Sequence, residues 1–305
     1  MKISVVTPAG PGTRNGNRHT ALRWAAFLRA AGHRVAVSTQ DMHSGADLML
    51  ALHARRSYES IRTFSKKLVV ALTGTDVYRD LRTSADARES LALADRLIVL
   101  QPKALEAIPK AYREKTHVVV QSSATRLRHD PVKGKFRICV IGHLREEKDP
   151  LRTLASLKFL EGNDLEIVQL GALLDPKLKP ETKDARYRWL GGVPHARALR
   201  WLASSHAMVI SSRMEGGANV VCEAIRIGVP VLASRIDGNV GLLGAKYPGY
   251  FPLADEKALA RLVEKARDAA FYRSLKRHIA SLRPMVAPRS EARALLAAMP
   301  SARAR

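Results

Sequence analysis

Glu215 and Glu223 stand eight residues apart in Ser211-Ser212-Arg213-Met214-Glu215-Gly216-Gly217-Ala218-Asn219-Val220-Val221-Cys222-Glu223-Ala224. Two acids across a strand-to-helix turn can hold a hydroxyl-rich ligand. With a helix beginning near Ala218, the free amides around Gly216, Gly217, Ala218 and Asn219 make an anion-binding helix N-terminus, which glycines leave open to a phosphate. Glu223, about one turn inside, is then placed to accept hydrogen bonds from a ribose diol, and Glu215 from sugar hydroxyls. The plainer alternative is that both acids offset the helix dipole and nearby arginines. Against it, a Gly-Gly pair at such a turn has little other structural use.

A second stretch, Gly142-His143-Leu144-Arg145-Glu146-Glu147-Lys148-Asp149-Pro150, follows a predicted strand. It sets Arg145 and Lys148 at the carboxyl end of that strand, where parallel sheets bind ligands. Cations there can neutralise a departing diphosphate without a metal. A solvated turn with Asp149 as helix cap is the alternative. In the first half of the chain, Arg14 and Arg18 flank the Gly12-Thr13-Arg14-Asn15-Gly16 loop, and His53, Arg55 and Arg56 follow another predicted strand. Guanidinium groups suit an oxyanion ligand. Thr73-Gly74-Thr75-Asp76 adds hydroxyls and amides at a further strand end. Four plainer readings stay open: a solvated loop for Arg14 and Arg18, a core histidine for His53, an exposed helical turn for Arg55 and Arg56, and an N-cap for Thr75 or Asp76. Cys222 reads as a small packing residue. The ten histidines are scattered, with no HxxxH and no paired cysteine spacing, so neither metal nor cofactor is expected.

These residues need elements that bring strand ends together. Short β-branched or apolar runs at 3–7, 35–38, 48–52, 68–72, 97–100 and 117–120 alternate with helical stretches at 19–31, 56–64, 85–94 and 103–108. In the first helix Ala21, Trp24, Ala25, Leu28 and Ala31 share a face that Gly32 ends. The polar stretch 121–135 reads as a linker. A second series follows, with strands at 136–141, 165–170, 188–190, 207–211 and 229–233 and helices at 150–160, 196–203, 220–227 and 256–269. Alternation of this kind predicts parallel sheets covered on both faces. The expected division is one α/β domain of residues 1–128, a second of 129–285 and a helical tail of 286–305. The tail is a candidate to pack on the first domain.

Composition narrows the partners. The chain has 305 residues, 46% of them hydrophobic and only 5% aromatic, and its net charge of +23 calls for anionic ligands. That charge is spread along the chain, and stacking motifs are missing, so no nucleic-acid partner is expected. The apolar runs are too short to span a bilayer, and no stable membrane association is expected. Two distant cysteines and a start without signal-peptide anatomy point to the cytoplasm. Oligomeric state is left open.

Taken together, the two motifs resemble the family-4 retaining glycosyltransferases of the two-Rossmann-domain (GT-B) type, over most of residues 136–245. Glu215 and Glu223 match that family's Glu-x7-Glu signature, and Glu147-Lys148 keeps its Glu-Lys pair. His143 stands where the family has arginine, with Arg145 as the candidate substitute. The family's later Gly-Gly-x-x-Glu element reads here as Ser234-Arg235-Ile236-Asp237-Gly238-Asn239-Val240-Gly241. The resemblance implies an α/β fold of two doubly wound domains facing an interdomain cleft. More narrowly, Leu22-Arg23-Trp24-Ala25, Ala51-Leu52-His53-Ala54-Arg55-Arg56-Ser57, Ala71-Leu72-Thr73-Gly74-Thr75-Asp76-Val77-Tyr78-Arg79-Asp80-Leu81, Ser234-Arg235-Ile236-Asp237-Gly238-Asn239-Val240-Gly241-Leu242-Leu243-Gly244 and Tyr247-Pro248-Gly249-Tyr250-Phe251-Pro252 are similar to the selenosugar synthases of selenoneine biosynthesis. That likeness covers nearly the whole chain. It implies a UDP-sugar donor, either UDP-N-acetylglucosamine or UDP-glucose, and selenophosphate as acceptor.

On this reading the donor residues are His143, Arg145, Lys148, Glu215, Gly216, Gly217, Ala218, Asn219 and Glu223. The acceptor residues are Gly12, Arg14, Asn15, Gly16, Arg18, His53, Arg56, Thr73 and Thr75, and the catalytic set is Lys148, Arg145, Glu215 and His53. An ordinary transferase with an oxygen acceptor, lipid or small molecule, is the alternative.

Overall fold

The computed structural model describes residues 1–13, 15–40 and 45–300. The chain divides into two compact units, one of residues 1–121, 215–219 and 288–305, the other of 122–214 and 220–287. Each is built on a six-stranded sheet whose strands pair in parallel.

In the first unit, β1 (Lys2–Val6), β2 (Arg34–Ser38), β3 (Leu48–Leu52), β4 (Lys67–Leu72), β5 (Arg96–Val99) and β6 (Thr116–Val118) lie in the order β2-β1-β3-β4-β5-β6. All five residues of β3 are buried. Successive side chains of a strand point to opposite faces, and each face here has its own apolar layer. Leu48, Leu50 and Leu52 join Ile3, Val5, Trp24 and Leu28 on one side, while Met49 and Ala51 join Val6, Val70, Leu72 and Leu91 on the other. The crossovers carry α1 (Gly16–Ala30), α2 (Tyr58–Thr63), α3 (Leu81–Thr83) and α4 (Ala85–Leu93). Asn15 starts α1 by accepting a hydrogen bond from the Arg18 amide at 3.1 Å. Helix α1 ends one residue early for Ala31, which is the exposed C-cap and not part of the buried face, and Gly32 follows at φ 87°.

In the second unit, β7 (Phe136–Ile141), β8 (Leu165–Leu170), β9 (Tyr187–Trp189), β10 (Ala207–Ile210), β11 (Val231–Ser234) and β12 (Tyr250–Phe251) take the order β12-β11-β10-β7-β8-β9. Its helices are α5 (Arg152–Ser156), α6 (His195–Ala203), α7 (Asn219–Ile227), α8 (Asp237–Leu243), α9 (Glu256–Arg267) and α10 (Ala269–Leu282). The last helix, α11 (Pro288–Ala298), belongs to the first unit, where Leu295 and Ala298 enter the layer around Trp24.

Three expectations need correction. The stretch 121–135 is no free linker, because the second unit begins at Ser122 and takes up this segment. Its amides find carbonyl partners there, His129 on Ile227, Asp130 on Ala203 and Val132 on Ser204. Polar composition imitated a spacer, and the backbone hydrogen bonds made it part of a wall. The stretch 103–108 is 3-10 rather than α-helical, spanning Pro102–Ala107. The 256–269 helix stops at Arg267, since Asp268 leaves it in extended conformation and caps the next helix at the Phe271 amide.

Strand order locates the ligand crevices. A doubly wound sheet opens at its carboxyl edge where the order reverses. That point lies between β1 and β3 in the first unit and between β7 and β10 in the second.

Candidate functional site

In the second unit, the two loops at the reversal point are those after β7 and β10. Val140, Ile141, Gly142, Lys148 and Pro150 from the first, with Val209, Ile210, Ser211 and Ser212 from the second, line a small cavity that Gln169 of β8 closes. Gly142 must lie close to β8, because a Cβ on Gly171 would fall 1.9 Å from the Gly142 carbonyl oxygen. His143 is turned inward to brace this approach, its Nδ1 accepting the Ala172 amide at 3.1 Å. The chain then makes a 3-10 turn, Glu146–Lys148, and leaves it through Asp149 in the left-handed region at φ 44°.

Asp149 is therefore the C-cap of that turn and not the N-cap of a helix. Its carboxylate takes Arg152 at 2.9 Å, and its carbonyl accepts the Ser211 hydroxyl at 2.8 Å. Lys148 is half-buried against Gly142, while Arg145 is half-exposed with Glu147 4.0 Å away. Lys148 and the glycine edge thus meet at the sheet end best suited to an anion, with Arg145 on the same loop.

Glu223 lies on α7 between buried residues, Val221 and Cys222 before it and Ala224 and Ile225 after it. Its side chain is largely covered, and its Oε1 accepts a 2.7 Å hydrogen bond from Nε2 of His195, the first residue of α6. Sequence reasoning missed His195. Gln169 was missed too: Tyr187 donates its hydroxyl to Oε1 and so fixes the amide, leaving the buried Nε2 without a hydrogen-bond partner.

Glu215–Asn219 counts with the first unit, and there the glycines have a packing role that the sequence reading denied them. A Cβ on Gly216 would sit 2.4 Å from the Thr73 carbonyl carbon, and one on Gly217 2.5 Å from the Leu100 Cβ. Glu215 and Ala218 are buried in the same segment. Asn219 opens α7 and accepts a hydrogen bond from Arg23 at 3.2 Å.

The first unit's other candidates gather after β1, β3 and β4. Gly12 stands at φ 79°, and Gly16 begins α1 3.4 Å from the Asn219 amide nitrogen as measured from an ideal Cβ. Arg18 keeps a buried Nη1 without a hydrogen-bond partner. Arg14 lies outside the described residues.

His53 takes the left-handed conformation at φ 75°, unusual for a residue other than glycine or asparagine, and its side chain is buried. Burial holds it neutral, lowering its pKa against the pull of Asp76 and with help from Arg56. Because the Arg56 amide donates to Nδ1, the proton sits on Nε2 and is donated to the Thr75 hydroxyl at 3.0 Å. Asp76 is no helix cap of the simple kind. Its buried carboxylate gathers the amides of Thr73, Gly74 and Val77, and that of Ala54 from the next strand end. The loops after β3 and β4 are therefore held as one piece. Arg55 and Arg56 are both exposed, with Arg55 paired to Asp80 at 2.9 Å.

Among the described residues no group of three or more His, Cys, Asp or Glu side chains could hold a metal ion. No described helix is long and apolar enough to cross a membrane.

Residues 121–276, just over half of the chain, match the family described as glycosyl transferases group 1. The chain belongs to that family. Among solved structures it is similar to a sucrose-phosphate synthase from Thermosynechococcus elongatus, at 15% identity and a TM-score of 0.76, with 96% of each chain covered. It is also similar to Anabaena Alr3699/HepE in complex with UDP-glucose, again at 15% identity and a TM-score of 0.76, covering 97% of this chain and 98% of that one. A glycosyltransferase from Rickettsia africae matches at 12% identity and a TM-score of 0.70, with 97% of each covered. The fold of this group 1 glycosyltransferase is accordingly GT-B.

Proposed function

We propose that this group 1 glycosyltransferase moves a sugar from a UDP-sugar to selenophosphate, giving a 1-selenosugar. The donor half is supported by Lys148 beside Gly142 at the second unit's strand-reversal point, the single observation that carries the reading, and Arg145 of the same loop is assigned with it to the diphosphate. A cationic edge of this kind suits a diphosphate, and the related Anabaena protein is described in complex with UDP-glucose. Glu223 is assigned to the ribose diol, Glu215 to sugar hydroxyls, and the amides of Gly216 and Gly217 with Ala218 and Asn219 to the phosphate.

The acceptor half rests on the sequence resemblance of the 22–25, 51–57, 71–81, 234–244 and 247–252 stretches. Gly12, Arg14, Asn15, Gly16, Arg18, His53, Arg56, Thr73 and Thr75 are assigned to the anionic acceptor. In the reaction selenium forms a bond to the anomeric carbon as the bond from that carbon to the UDP oxygen breaks. Both bonding electrons leave with UDP. Hydrolysis of the selenium–phosphorus bond then yields phosphate and the selenol. Selenophosphate is already a strong nucleophile, so the residues named serve chiefly to hold it and to offset charge on the departing diphosphate.

The test is mass spectrometry of an oxygen-free reaction with UDP-N-acetylglucosamine or UDP-glucose and selenophosphate, quenched with a thiol-alkylating reagent. An alkylated sugar carrying selenium's isotope pattern, formed together with UDP, supports the proposal. Cleavage of the UDP-sugar with oxygen acceptors only would remove the selenium half and leave the donor half standing.

A further inference from the structure

His195 and Glu223 are 28 residues apart and sit on different helices, yet they make a 2.7 Å hydrogen bond. The strand–turn–helix path explains how. After β9 the chain turns through Gly191 and Gly192, and Pro194, a residue that cannot donate and is preset for an N-terminal position, delivers His195 as the first residue of α6. Glu223 lies on the face of α7 left over when Val221, Cys222, Ala224 and Ile225 are buried.

A glutamate in the middle of a helix has three side-chain torsions, and a ligand that needs its carboxylate in one pose must freeze them. Here a protein group already does so. The carboxylate only accepts, so Nε2 donates, and it can do this both as the neutral ring with its proton on Nε2 and as imidazolium. A carboxylate has about four acceptor positions, and His195 occupies one. The remainder exceeds the two acceptors that a cis-diol requires. Half of the His195 side chain is exposed, so its bond to Glu223 does not support the core.

We infer that His195 is a positioning residue for the ribose carboxylate, making affinity for a uridine diphosphate depend on the 2′,3′-diol through a preset Glu223. The inference rests on the ribose reading of Glu223 given above. It assigns discrimination between a ribose and a sugar without the diol to a pair of residues, where Glu223 alone would be held loosely.

Isothermal titration with UDP and with 2′,3′-dideoxy-UDP on the full-length wild type, His195→Ala and His195→Gln distinguishes the outcomes. The expected result is UDP affinity about three- to tenfold weaker in His195→Ala, from the freed side chain, with dideoxy-UDP affinity unchanged. His195→Gln, which still carries an N–H of similar reach, should recover part of the loss. Equal weakening for both nucleotides, or none for either, overturns the inference. If the wild type itself fails to prefer UDP over dideoxy-UDP, the ribose reading of Glu223 falls first, and His195 with it.

Discussion

Glu291 offers a sharp test of how the first unit is held together. It lies on α11 with its carboxylate fully buried, and three donors converge on it: Arg23 Nε at 2.8 Å, Arg23 Nη2 at 3.1 Å and the Trp24 indole at 2.7 Å. Glu291→Gln keeps the shape but turns one acceptor oxygen into a donor that faces a guanidinium. Arg23 is about one-fifth exposed and partly rehydrates, so the cost should fall below the ~3–5 kcal/mol of breaking a fully buried pair. Losing one or two charge-assisted bonds gives about 2–4 kcal/mol.

Glu291→Ala should cost more, since the wholly buried Trp24 indole then has no acceptor there. Replacing the pair with apolar side chains, Arg23→Met with Glu291→Leu, should recover much of the loss but not the ~1–3 kcal/mol owed to the unpaired indole. Urea unfolding followed by far-ultraviolet circular dichroism measures all three variants. A loss below ~0.5 kcal/mol in Glu291→Gln would refute the reasoning, because the α1–α11 seam would then rest on apolar packing, with Leu295 and Ala298 at its centre.

Other consequences follow from single contacts. Burial, aided by Lys276, holds the His129 pKa down to about 4. Below its ordinary pKa the unfolded chain binds a proton that the folded chain refuses, so stability should be level above about pH 6.5 and fall towards pH 4 by at most ~1.4 kcal/mol per pH unit. Unfolding of His129→Asn across that range should show a shallower slope. Gly216→Ala, pressed against the Thr73 backbone, should shift the 215–219 segment and lower the melting temperature by several degrees; a variant that melts like the wild type would show that the contact yields. Glu223→Ala should weaken UDP about tenfold or more in titration, as expected for loss of a charged hydrogen-bond partner, and unchanged affinity would remove the residue from the donor site.

The parallel sheets were legible because burial on both faces leaves a signature in the chain: Leu48–Leu52 is apolar at every position, and only a strand covered twice tolerates that. Helix α8 was hidden by Gly238 and Gly241, which read as loop residues until packing held them in a helix. Loop chemistry was legible in part. The sequence singled out Lys148, in the loop after a predicted strand, and Glu223, eight residues after Glu215, and the structure sets the first after β7 and the second inside α7. It could not point to His195, whose relation to Glu223 exists only once α6 and α7 are side by side.

Gly216 shows a subtler gap. A glycine declares that no Cβ is tolerated, but not what occupies the space, and here backbone does so in the first unit. Asp76 is similar: an acid near a helix start suggests a cap, whereas the folded chain makes it a clamp on two loops.

Neither unit is written as one uninterrupted stretch. The first requires residues 1–121, 215–219 and 288–305, so the chain passes between the units at four places. Recombination or engineering that exchanges the first 121 residues as a cassette would leave the short glycine segment and the last helix from the other parent. Gly216 would then face a foreign counterpart of Thr73, and Glu291 a foreign counterpart of Arg23. A functional chimera must carry all three pieces together, which makes inheritance of this half of the enzyme a three-part event rather than a single crossover.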